Sequence, residues 1–145
     1  MAKYIMPIVR KTFNDGQNIV TICSGHITRD EVFDHMNWLI DNHGTHIKDS
    51  YHQLLDALSV TKLDLTEDDV RRVSQFNSIY GQNRGDIQTA IVAVDAGARK
   101  LAQLHKNISR AANKEVQIFS TIEQAINWLK IPMEHVNKTK ELLRD

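Results

Sequence analysis

Residues 87–94 read Ile-Gln-Thr-Ala-Ile-Val-Ala-Val, an almost unbroken apolar run. Such a run predicts a central strand covered on both faces, or on one face with small residues on the other. Residues 51–58 make another strand-like run, and a shorter one spans 116–119. Near the start, residues 4–13 and 18–24 also read as extended, with Asn14-Asp15-Gly16 between them. Asp-Gly between two such segments predicts a hairpin, because its turn needs positive φ. Pro7 lacks a ladder N–H, which suits an edge strand.

Between the strands the apolar period changes from two to 3.6. Val32, Phe33, Met36, Leu39 and Ile40 line one face of a helix opened by a Thr28–Glu31 capping box and ended by Asn42-His43-Gly44. Thr66 opens a second helix, with Glu67, Asp68 and Asp69 at its positive pole and Val70, Val73, Phe76, Asn77 and Tyr80 inward. The third, residues 96–110, has Asp95 as N-cap and turns Ala98, Leu101, Ala102, His105 and Ile108 inward. A fourth opens at a second expected capping box, Ser120-Thr121-Ile122-Glu123, buries Ala125, Ile126 and Leu129, and stops at Pro132. Trp128 sits beside that stripe and is expected to be partly buried.

The order β-β-α-β-α-β-α-β-α predicts an α/β fold: a single-layer mixed sheet with helices packed on it. Residues 1–132 form the domain, and 133–145 a charged C-terminal tail expected to be helical. Val136 and Leu143 lie a heptad apart in that tail. A helix so short is not stable alone, so it docks on its own sheet or pairs with a second copy.

Composition narrows the function classes. Of the 145 residues 41% are hydrophobic, enough for one core without staples. Eighteen basic residues balance eighteen acidic ones, so no net field gathers nucleic acid. No run reaches the ~18 apolar residues of a membrane span. The lone Cys23 lies in an apolar strand and reads as a buried thiol in a reducing, cytoplasmic setting. Arg71, Arg72, Arg99, Lys100, Lys106 and Arg110 read as solvated helix faces.

Seven histidines raise the question of metal. His43 and His46 lie three apart near Asp41 and Asp49, but in a loop that lacks the fixed ligands zinc prefers. His26 and His52 form a second candidate pair, and His105 reads as a core histidine with hydrogen-bond partners. No metal or other cofactor is expected. Asp56 and Asp64 have no nucleophile, oxyanion glycines or phosphate loop beside them, so the chain reads as a binder and not an enzyme.

The richest stretch is 54–66. An apolar strand ends on Asp56, a polar loop carries Ser59 and Thr61, Leu63-Asp64 follows, and Thr66 starts a helix. Corners of this kind carry functional groups in α/β folds. The pattern resembles the STAS fold of SpoIIAA-like anti-sigma-factor antagonists. Gly25-His26-Ile27-Thr28 and Val116-Gln117-Ile118-Phe119 with Glu123, Ala125, Trp128 and Leu129 carry the same resemblance, which spans roughly residues 4–130. Asp56, Val60, Leu63 and Asp64 match the antagonist's corner, and its Ser-Ser-Gly falls on Leu65, Thr66 and Glu67. Only Thr66 keeps a hydroxyl there.

A phosphate on Thr66 would gain from the helix N-terminus and be repelled by Glu67, Asp68 and Asp69. The resemblance implies a non-catalytic regulatory module that binds a protein partner through Asp56, Ser59, Thr61, Asp64, Thr66, Glu67 and Asp68. The alternative it implies is a carrier or sensor of a small apolar, lipid-like ligand held between helices and sheet. Homodimerisation is a further expectation.

Overall fold

The computed structural model describes residues 7–80, 83–110 and 113–143. The strand start at Tyr4, the inward side chain of Tyr80, Gly81 and Gln82 of the following loop, and Arg144 and Asp145 of the tail lie outside the described residues. Strands β1 (Ile8–Phe13) and β2 (Asn18–Thr28) form the expected antiparallel hairpin. Its turn has positive φ at Asn14, Asp15 and Gly16. Only glycine fits at position 16, because a Cβ there would collide with the backbone carbonyl of His46.

Strands β3 (His52–Asp64), β4 (Ile87–Val92) and β5 (Lys114–Phe119) add in parallel, giving the order β1-β2-β3-β4-β5 with β1 at an edge. Each parallel step moves the same way across the sheet. Right-handed crossovers therefore place α1 (Arg29–Asn42), α2 (Glu67–Tyr80) and α3 (Ala96–Ser109) on one face. Helices α4 (Ile122–Leu129) and α5 (Met133–Lys140) cover the other. Strand alternation sorts the core accordingly. Val20, Ile22, Leu54, Ala90 and Val92 pack against α4 and α5, while Ile19, Tyr51 and Ile87 pack against α1 and α2.

Several boundaries differ from the sequence pattern. Strand β2 runs four residues beyond Ser24, and β3 continues to Asp64, so the polar loop expected around Ser59 and Thr61 is strand. The reason is mutual pairing: Ser24–Ser59, Gly25–Val60, His26–Lys62, Ile27–Leu63 and Thr28–Asp64 sit side by side. Helix α4 is capped by Thr121, whose hydroxyl accepts from Gln124 N at 3.2 Å; the box expected between Ser120 and Glu123 does not form. Lys130, in the left-handed region at φ 60°, ends α4, and Pro132 instead opens α5. The Thr28–Glu31 box and the Asp95 cap form as expected.

The tail helix α5 docks on the chain's own sheet. Val136 is 0% exposed and belongs to the core beneath α4, and Leu143 packs against the same cluster. His135 stacks on Phe13 with ring centroids 4.1 Å apart. Among the described residues, no helix is long and apolar enough to cross a membrane.

Candidate functional site

Strand β3 pairs with β4 only from His52 to Asp56. Beyond that point, residues 57–64 and 24–28 leave the sheet as a two-stranded arm. Between Ile22 and Thr28, β2 advances six positions while β3 advances eight, from Asp56 to Asp64. Two extra residues are thus absorbed as bulges in β3, which break the period of two. Ala57, Val60 and Leu63 turn inward, and Leu58, Ser59, Thr61 and Lys62 turn out to solvent.

The arm separates the seven sequence-predicted residues instead of gathering them. Asp56 is buried on the α5 side of the sheet, where its carboxylate accepts from its neighbour Leu58 N at 3.0 Å. Burial pushes its carboxyl up, opposed by that N–H and by Lys140 of α5. Asp64 stands six β2 positions further along, about 20 Å away at the usual rise. Ser59 and Thr61 lie exposed between them. Asp64 faces His26 at 3.7 Å.

Thr66, Glu67 and Asp68 share the start of α2. Thr66 caps it, its hydroxyl accepting from Asp69 N at 3.1 Å while Thr66 N donates to Asp69 Oδ2 at 2.9 Å. The carboxylates around it are paired. Glu67 meets Lys100 at 3.0 Å and Arg71 at 3.6 Å, and Asp68 meets Arg72 at 3.0 Å. Asp69 meets Arg29 at 3.9 Å, so the beginnings of α1, α2 and α3 are tied together by charge. The Lys100 hydrogen bond holds the Glu67 carboxyl below its usual range, and hydrogen bonds from Thr66 do the same for Asp69.

Behind the arm lies a cavity of about 160 Å³ between the sheet and helices α1, α2 and α3. Its roof includes the inward arm residues Ala57, Val60 and Leu63, and its walls are almost wholly apolar. Cys23 lines it too, a free thiol pushed up to about 12, chiefly by burial. The polar groups that reach the cavity come from the sheet floor and two helices, and the sequence pattern did not single out most of them.

At one end His35 of α1 is buried against Gln53 of β3, with His35 Nε2 to Gln53 Oε1 at 2.8 Å. Thr21 donates to the same oxygen at 3.1 Å, and Arg10 reaches His35 Nδ1 at 3.3 Å. An arginine can only donate, so Nδ1 accepts and Nε2 carries the proton. Burial lowers His35 to about 4, which keeps the ring neutral. Arg10 also stacks over Trp38, 4.6 Å from the ring centre.

At the other end His105 accepts from Lys114 Nζ at Nε2, 3.2 Å away, and holds Ser74 Oγ at Nδ1, 2.7 Å away. His105 is thus the hydrogen-bonded inward histidine that its helix position predicts. Burial pushes it well below its ordinary value. Burial, followed by Arg84, lowers Lys114 to about 7. Thr89 of β4 faces the same cavity, and its buried hydroxyl makes no hydrogen bond among the described residues.

The candidate metal ligands do not assemble. His43 binds Asp49 at 2.6 Å, and among the described residues no three His, Cys, Asp or Glu side chains lie together as a metal group. His26 pairs with Lys62 and His52 with Asn18, at opposite ends of β2 and β3.

No family model matches the chain. No curated protein matches it in sequence. Among solved structures it is similar to an uncharacterized protein with a SpoIIAA-like fold from Shewanella loihica PV-4, at TM-score 0.57 and 14% identity, over 89% of this chain and 98% of that one. It is also similar to an anti-sigma factor antagonist from Mycobacterium paratuberculosis, at TM-score 0.50 and 13% identity, over 86% of this chain and 95% of that one. At such identities the likeness is one of fold, and the fold is SpoIIAA-like.

Proposed function

We propose that this SpoIIAA-like chain is a non-catalytic regulatory module that recognises a protein partner with the outer face of its arm and the start of α2. The observation that carries the reading is the arm itself. It lifts Leu58, Ser59, Thr61 and Lys62 clear of the sheet and leaves Leu58 39% exposed. Asp64, Thr66, Glu67 and Asp68 continue that surface at its far end. Asp56 supports it from within, by holding the Leu58 amide where the strand leaves the sheet.

The likeness to an anti-sigma factor antagonist supports a protein partner of regulatory type. The test is affinity capture with the full chain and with a Glu67→Lys/Asp68→Lys double variant. A partner retained by the parent and lost by the variant supports the reading. Equal retention by both removes this surface from it.

The cavity favours a second reading, a carrier or sensor of a small apolar ligand. An engineered apolar cavity of comparable size, about 150 Å³, binds benzene in another protein. Because Ala57, Val60 and Leu63 of the arm roof this cavity, a ligand beneath them would bear on the exposed face above. Native mass spectrometry of freshly purified protein tests it, with a co-purifying small apolar molecule as the expected result.

A further inference from the structure

The cavity is not uniformly apolar, and its polar groups are unequally satisfied. At the His35 end every ring nitrogen and the Gln53 oxygen have partners. At the Lys114 end they do not. Lys114 is only 4% exposed, and among the described residues its one hydrogen-bond partner is the His105 ring, although an ammonium carries three donors. Thr89, 2% exposed, has a hydroxyl with no partner among the described residues.

The register of β4 and β5 sets Lys114 opposite Ile87 and Val116 opposite Thr89. Lys114 and Thr89 are thus diagonal neighbours on one face of the sheet, beneath Leu101 and His105 of α3. A buried cation with one neutral partner and a buried hydroxyl with none are both costly. Their needs coincide in an acceptor that carries negative charge.

Resting on the apolar-ligand reading above, we infer that the ligand is a small amphipathic carboxylate. Its carboxylate is held by Lys114 Nζ and Thr89 Oγ1, and its short acyl or aromatic tail lies under Leu101, Val73 and Ile91. The lining of the cavity fits that division, with apolar side chains between this floor and the satisfied His35–Gln53 end. The lowered affinity of Lys114 for its proton agrees with a cation short of a counter-charge. His105 then acts as a positioning residue. Ser74 fixes its ring, and the ring fixes the ammonium.

Calorimetric titration of the full chain with hexanoate and with hexan-1-ol tests this, since the two share a tail and differ in the head. The expected result is hexanoate binding roughly tenfold or more tighter than the alcohol, the scale of a charge-assisted hydrogen bond. Lys114→Met should abolish that preference by weakening hexanoate alone. Thr89→Val, which removes only the hydroxyl, should weaken hexanoate severalfold and spare the alcohol, and it decides the matter should Lys114→Met fail to fold. Equal binding of acid and alcohol would overturn the carboxylate inference and leave the apolar-ligand reading standing. Tight hexanoate binding unaffected by either variant would place the anion elsewhere and also overturn it. Absence of binding by both probes would sink the inference together with the reading it rests on.

Discussion

His35 of α1 donates through Nε2 to Gln53 Oε1 of β3 at 2.8 Å, a buried bond between a helix and the sheet floor, while its unprotonated Nδ1 accepts from Arg10. Burial lowers the ring to about 4, against 6.5 for an ordinary histidine. The unfolded chain therefore takes up this proton first as the pH falls. Stability from this group is complete above pH 6.5 and drains away between 6.5 and about 4, by about 3 kcal/mol in all. Urea melts at pH 7 and pH 4.5 should show the parent losing more than His35→Gln. His105, also lowered by burial, leaves the variant some residual slope. A variant with the parent's full pH dependence would contradict the assignment.

Lys114 titrates in another window. Burial lowers it from 10.5 to about 7, so between these values the unfolded chain holds a proton that the folded chain has released. Stability contributed by this group must then rise with pH from 7 to 10.5. Lys114→Met removes both the rise and the cost of a buried cation. The variant should be more stable than the parent at pH 6, by ~1–4 kcal/mol on the scale of buried-charge replacements. Differential scanning calorimetry at pH 6 and pH 9 checks both parts, and a less stable variant at pH 6 would argue that the ammonium is satisfied where it lies.

The legible and illegible parts of the chain differ for physical reasons. The apolar run at 87–94 read as a central strand by composition, and β4 occupies it as far as Val92, while Thr28 with Glu31 was legible because its bonds span only three residues. The arm was illegible because two bulges in β3 replace alternation by a spacing of three, Ala57-Val60-Leu63, which looks like loop until β2 is known to run beside it. Gln53, Thr89 and Lys114 passed unnoticed as single polar residues within or before apolar runs. One signal was available. Gln53 and Thr89 share the strand face of Leu55 and Ile91, and Lys114 that of Val116, so a polar floor was written into the alternation. The ion pairs at the acidic start of α2 were illegible too, since Arg29 and Lys100, the partners of Asp69 and Glu67, come from other helices.

Trp128 is half-buried and tilts against Phe119 with ring centroids 5.8 Å apart, as its place beside the α4 stripe predicts. Trp128→Ala should cost roughly 3 kcal/mol in urea unfolding. A variant as stable as the parent would show that the ring contributes nothing to the core and is free to serve as a contact.

The tail makes the last case. Charged as it is, α5 buries Val136 completely, and His135 stacks on Phe13 of the edge strand. Helix α5 lies on β1 and β2, and the α4–α5 core also holds Val9, Val20 and Ile22 of those strands. Val136→Ala removes two methyl groups from that core and should cost roughly 2 kcal/mol. Ending the chain at Pro132 removes the whole cover and should destabilise it further, exposing Val20 and Ile22 to water. Sedimentation velocity then separates two consequences. If α5 serves only as cover for its own sheet, the shortened chain self-associates through the uncovered face while the Val136→Ala chain behaves as the parent does. A shortened chain that keeps both the stability and the sedimentation of the parent would mean that α5 contributes nothing to the fold it covers.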